Sequence, residues 1–245
     1  MMAMGSRFVS AVAFFGPKTG RLRELLTEVQ ALIAEHLGAD FRPYTLEQVH
    51  ATLIALNGVR AGGAIVNEYL LEHAGVRREM DLPRVMDILA RWFATPLDVR
   101  VGGFRPGQPA PFTSRGRHLS ERAFSVQDRA FVLMGWPAGS LAGAGRPLDE
   151  LRREMNAAGV LHRYHARPSD VDDDLYLVVG HHACAPAATL ARATAAVRDR
   201  LAADPADLAI ALTDVKIVAA DSPTLAPPLY VSGIPAPEAD VLALM

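Results

Sequence analysis

The chain has 245 residues, of which 25 are Lys or Arg and 27 are Asp or Glu, giving a formal net charge of -2. Half of it is hydrophobic, which excludes a disordered chain, and the near-neutral balance leaves no charge footprint for duplex DNA or an anionic membrane. One cysteine, Cys184, excludes an intrachain disulfide framework and a cysteine zinc cluster and fits a reducing, cytoplasmic compartment.

Residues 7–15 are apolar and bounded by Gly16-Pro17. They read as a strand, because no small-residue cleavage site follows them as it would a signal peptide. Leu22, Leu25, Leu26, Val29, Leu32 and Ile33 recur at three and four, which predicts a helix over 21–37 stopped by Gly38. A second strand, 49–56, ends at Asn57-Gly58. Helices follow at 64–74 and 82–94, the latter capped by Asp81 before Leu82-Pro83. Residues 97–104 read as a strand, 105–122 as a long Arg-rich loop, and 123–136 as a strand or hairpin arm. Residues 137–147 are Gly-, Ala- and Pro-rich and connect two halves.

The second half repeats this grammar, with a helix at 148–158, a strand at 174–180 and a helix at 186–203. Two closing strands are expected at 208–219 and 229–232. The expectation is an α+β fold. Two pseudo-symmetric lobes, each an antiparallel sheet backed by helices, would flank a central cleft in a single bilobal domain, 1–245. Lobe one covers 1–136 and lobe two 148–245, with strand exchange between them left open. No apolar run approaches the roughly 20 residues that span a bilayer.

The sharpest chemical feature is Val49-His50-Ala51-Thr52-Leu53-Ile54-Ala55-Leu56. Alternation on a strand points His50 and Thr52 the same way, about 7 Å apart, and sends Ala51, Leu53 and Ala55 toward helices. A proton donor near neutral pH beside a hydroxyl is a plausible anion or phosphate site. The plainer alternative is a strand entrance and a Thr chosen for β propensity.

This His-x-Thr-Leu strand after a β-α unit, with the bilobal element order, resembles the 2H phosphoesterase superfamily, which includes bacterial 2′-5′ RNA ligase-like proteins and cyclic phosphodiesterases. The resemblance implies metal-free opening of a 2′,3′-cyclic phosphate or another nucleotide or RNA-terminal phosphodiester. One His of each lobe would serve as acid or base and one Thr or Ser would hold phosphate oxygens. The implied partner is a small nucleotide or an RNA terminus, with no cofactor. His50 and Thr52 match the first pair. In the second half, the signature strand falls at Asp174-Leu175-Tyr176, so Asp174 and Tyr176 stand where His and Thr would. That substitution favours an alternative on the same scaffold, a protein that binds a phosphorylated ligand without turning it over.

The loop 112–122 gathers Arg115, Arg117 and His118 beside Gly116, candidates for phosphate contacts through guanidinium forks. Nearly all positive charge is Arg, since only Lys18 and Lys216 are lysines. A further alternative is a metal-assisted hydrolase built from His162, His165, His181 and His182 around the acidic run Asp170-Val171-Asp172-Asp173-Asp174. The spacing fits no specific metal template, and no metal is expected. Solvated histidines at a helix exit are the simpler reading of His162 and His165, and Cys184 has no orienting group beside it.

Overall fold

The computed structural model describes residues 7–245. Strand β1 (Phe8–Ala13) alternates cleanly: Val9, Ala11 and Ala13 enter the main core, whereas Phe8 and Val12 join a small cluster on the other face. Helix α1 (Gly20–Leu37) buries Leu22, Leu25, Leu26, Val29, Ile33 and Leu37 as its spacing predicts. Next come β2 (Phe41–Pro43), β3 (Ala51–Ala55), and the hairpin of β4 (Gly58–Ala61) and β5 (Ala64–Asn67). The helix expected over 64–74 starts only at Glu68, as α2 (Glu68–Ala74). The reason is Gly62-Gly63, both at positive φ, which fold β5 back onto β4.

Helix α3 (Leu82–Trp92) opens on its expected cap, the Asp81 side chain accepting from the Arg84 N–H at 3.0 Å. After β6 (Leu97–Val101) and the short α4 (Leu119–Arg122), the arm expected over 123–136 is a hairpin of β7 (Phe124–Gln127) and β8 (Ala130–Pro137). Helices α5 (Ala138–Leu141) and α6 (Pro147–Glu154) lead through a long loop to β9 (Leu175–His182). Helix α7 (Ala187–Ala203) packs against α1. The strand expected over 208–219 is two strands, β10 (Ala206–Ile210) and β11 (Val215–Ala220). They part at one helical turn, where the Asp214 carboxylate accepts the Ala211 N–H at 2.9 Å. Strand β12 (Tyr230–Ser232) and helix α8 (Glu238–Leu242) end the chain.

The fold is α+β, as expected. Its main sheet is antiparallel throughout and runs β10-β6-β8-β9-β3-β1-β11-β12, with β2 added to β9 and β7 to β8. The late strands β11 and β12 return to β1, and the earlier strands β6 and β8 sit between β9 and β10, so strands are exchanged across the sequence. The middle of the sheet is a seam. Strands β3 and β9 pair only at Ala51 and Leu177, and beyond that point they diverge. Among the described residues no helix is long and apolar enough to cross a membrane.

Candidate active site at the sheet seam

The buried guanidinium of Arg152, on α6, fills the gap where β3 and β9 part. Its Nε donates to the Leu53 carbonyl at 3.0 Å and one terminal nitrogen reaches the Thr52 carbonyl at 3.4 Å. Toward β9 it donates to the carbonyls of Asp172 and Asp174, at 2.9 and 3.1 Å. One planar fork thus supplies donors that the interrupted strand ladder does not.

A cavity of about 290 Å³ opens at this seam, near the lower end of the roughly 300–1,000 Å³ range of small-molecule sites. His50 and Thr52 from the β3 segment and Asp174 and Tyr176 from the β9 segment all line it, so the four residues singled out as catalytic candidates are brought together. Ala55 lines it as well, against expectation. The β1–β3 register shifts by one residue at Leu53, and this bulge moves Ala55 from the helix side to the cavity side.

The His50 Nδ1–H donates to the Gln48 carbonyl at 2.7 Å, which leaves Nε2 as the lone-pair nitrogen of the neutral ring. Burial lowers the His50 pKa, and the Lys18 ammonium adds to this against the Gln48 hydrogen bond. Lys18 is itself buried and pushed down to about 8, its ammonium donating to the Gly16 and Glu47 carbonyls at 2.8 and 3.1 Å.

The consecutive aspartates hold three different parts of the structure. Asp174 accepts from Trp136 Nε1 at 2.7 Å, Ser114 Oγ at 2.7 Å and Arg122 at 2.8 Å. Asp173 accepts the Leu148 and Asp149 N–H groups at 2.9 and 3.2 Å and so caps α6 from outside the helix. Asp172 accepts from His162 Nε2 at 2.7 Å and lies 3.5 Å from Arg152 and 3.4 Å from Arg115. Its burial opposes ionisation, but the His162 hydrogen bond and these arginines outweigh it and hold the carboxyl well below the usual range.

Of the expected phosphate contacts, Arg115 lines the cavity, and Arg117 and His118 are not among its lining residues. Arg115 sits in a two-residue turn closed by paired Ser114–Arg117 backbone hydrogen bonds, at φ 48° beside Gly116 at φ 73°. This uncommon left-handed conformation delivers its guanidinium 3.8 Å above the Tyr164 ring. His118 is instead structural: Nδ1 accepts the Ser120 N–H at 3.2 Å as the cap of α4, and Nε2 donates to the Gln108 carbonyl at 2.9 Å.

The metal cluster considered for His162 through His182 does not assemble. His165 bonds Asp149 at 2.9 Å and His162 bonds Asp172, while His181 and His182 lie in the β9 end that pairs with β2. Among the described residues no group of three or more His, Cys, Asp or Glu is arranged to hold a metal ion.

Several lining residues were not among the catalytic or phosphate-binding candidates: His162, Arg152, Arg163, Tyr44, Tyr69 and Tyr164. With Tyr176, four of the chain's five tyrosines converge on this one cavity. Its lining includes three arginines against two aspartates, and two of those arginines, Arg115 and Arg152, lie within 4 Å of the aspartates. Among the described residues Arg163 takes part in no ion pair.

No protein-family model and no curated protein matches the chain. A solved structure similar to it is that of TT0787 of Thermus thermophilus, 14% identical, with a TM-score of 0.42 over 93% of this chain and 97% of that one.

Proposed function

We propose that this chain is a 2H-like phosphoesterase that opens a 2′,3′-cyclic phosphate, or another nucleotide or RNA-terminal phosphodiester, by metal-free acid/base chemistry. The observation that carries this reading is the tautomer of His50. The Gln48 carbonyl takes its Nδ1–H and leaves Nε2 available beside Thr52 in an arginine-bearing cavity. Thr52 offers a hydroxyl to a non-bridging phosphate oxygen, and Arg115 and Arg163 offer guanidinium forks. The tyrosines supply faces on which a nucleobase can stack.

Asp174 does not act as a second proton donor in this reading, because Trp136, Ser114 and Arg122 already occupy its carboxylate. That saturation is also what favours the second reading, a protein that binds a phosphorylated ligand without turnover.

The test is turnover of 2′,3′-cyclic nucleotides and short RNAs ending in a 2′,3′-cyclic phosphate, in excess EDTA, by wild type and His50→Ala. Turnover that survives EDTA and disappears in the variant is the expected result. Absence of wild-type turnover on all of these substrates overturns the phosphoesterase reading and leaves the ligand-binding one.

A further inference from the structure

Opening a phosphodiester with water needs two proton carriers, one to accept the proton that water loses and one to protonate the leaving oxygen. In the phosphoesterase reading His50 is one of them, and the cavity offers few groups for the other. Asp174 is saturated by its donors. The Tyr176 hydroxyl donates to Gln127 Oε1 at 3.2 Å, and burial raises its pKa. Tyr44 is pushed up to about 12, first by burial.

His162 differs from all three. Its Nε2–H donates to Asp172 Oδ2 at 2.7 Å, which fixes the tautomer and makes Nδ1 the lone-pair nitrogen. Nδ1 has no hydrogen-bond partner among the described residues, in a residue that lines the cavity.

We propose that His162, oriented by Asp172, is the second proton carrier of this cavity and acts as its general base. The proposal rests on the phosphoesterase reading. It assigns to a loop residue the part that the β9 position of Asp174 does not play.

The step balances with the two imidazoles in complementary roles. The oxygen of water bonds to phosphorus as the bond from phosphorus to one ribose oxygen breaks. The proton that water loses goes to His162 Nδ1. The leaving oxygen takes the Nε2 proton of His50 in its protonated form, the minor form in the free site because burial lowers the His50 pKa. The product is a ribose phosphomonoester, after which His162 releases its proton to solvent and His50 regains one. Asp172 stands behind the imidazolium that forms on His162, as a carboxylate does in an acid–base dyad. The Gln48 carbonyl steadies the charged form of His50. In the resting site burial, then Arg152, hold His162 unprotonated, at a pKa of about 4, and the Asp172 hydrogen bond favours the charged form that the step creates.

The test uses the full chain and 2′,3′-cyclic nucleotides, with His162→Gln, His162→Gly and Asp172→Asn beside wild type and His50→Ala. Urea unfolding identifies which variants remain folded. The expected result is a loss of roughly 10²–10⁴-fold in kcat for His162→Gln with little change in KM. Added imidazole should restore part of the His162→Gly activity, which it would not do for a merely structural side chain. Folded His162→Gln within threefold of wild type while His50→Ala is inert overturns this assignment and leaves the phosphoesterase reading standing. Absence of wild-type turnover overturns both. Should His162→Gly fail to fold, His162→Gln decides; should both fail, a folded Asp172→Asn with wild-type kcat overturns the dyad.

Discussion

Replacing Arg152 by Met keeps most of the side-chain volume and removes the guanidinium. Four main-chain carbonyls at the seam, those of Thr52, Leu53, Asp172 and Asp174, then lose a donor, and the Asp172 carboxylate loses a cation 3.5 Å away. Hydrogen bonds to a charged group contribute about 1.5–3 kcal/mol each. They are not additive here, because one rigid group makes all of them. Breaking a buried ion pair from one side costs about 3–5 kcal/mol, and the expected destabilisation is about 4 kcal/mol. At roughly 2–4 °C per kcal/mol for a chain of this size, Tm falls by about 8–16 °C. The next residue is an internal control. Arg153 is partly exposed and bonds Asp149 at 2.6 Å and the Pro168 carbonyl at 3.1 Å, so Arg153→Met should cost no more than about 1 kcal/mol. The assay is urea unfolding followed by circular dichroism for both variants. Equal losses for the two, or a loss below about 1 kcal/mol for Arg152→Met, would refute the idea that this guanidinium joins the halves of the sheet.

Burial, then Arg152, hold the His162 pKa at about 4 against 6.5 for a free histidine. Between these values the unfolded chain binds the proton and the folded chain does not, so stability falls as pH drops from about 6.5 to 4. The loss is on the order of 3 kcal/mol, and urea midpoints at pH 7, 5.5 and 4.5 should show a shallower slope in His162→Gln. Trp136→Phe removes the indole donor 2.7 Å from Asp174. It should cost about 1.5–3 kcal/mol by the same unfolding measurement. Gly159→Ala places a Cβ 2.6 Å from the Glu79 carbonyl oxygen at φ +76°, where neither the backbone contact nor the left-handed conformation suits alanine. A loss above about 2 kcal/mol is expected, and a neutral melting temperature would contradict the packing described at that turn.

Much of the scaffold is legible in the sequence because it obeys simple periodicity. The stripe of α1, the alternation of β1 and the Asp81 cap need no tertiary information. His50 and Thr52 are legible for the same reason, as alternate residues at the start of one short strand, His50 immediately before β3 and Thr52 within it. Ala55 escapes the alternation because the bulge at Leu53 is set by pairing with β1, which no local pattern records. Arg152 does carry a readable signal: with Leu148, Leu151 and Met155 it completes a buried three-and-four stripe on α6 and the turn that follows. A charge at such a position predicts a buried partner. His162 offers no comparable signal. Its partner Asp172 is ten residues away on the return of an irregular loop, and that juxtaposition is a property of the folded chain.

The site's chemistry follows from how the sheet is interrupted. Had β3 and β9 paired along their length, the carbonyls of Thr52 and Leu53 would bond to a strand and no guanidinium would be needed between them. Because the strands part after Ala51 and Leu177, the gap requires a rigid multiple donor, and Arg152 brings a positive charge into the sheet with it. That charge must be balanced nearby, and Asp172 balances it. The same carboxylate then orients His162, so the residue that neutralises the seam also prepares an imidazole for the cavity. Asp174 has the opposite fate. It anchors the 105–122 loop through Ser114 and Arg122, and the turn that follows Ser114 carries Arg115 over Tyr164. A carboxylate so occupied is committed to holding the loop, which is the physical reason the proposed second proton carrier is sought off the strand.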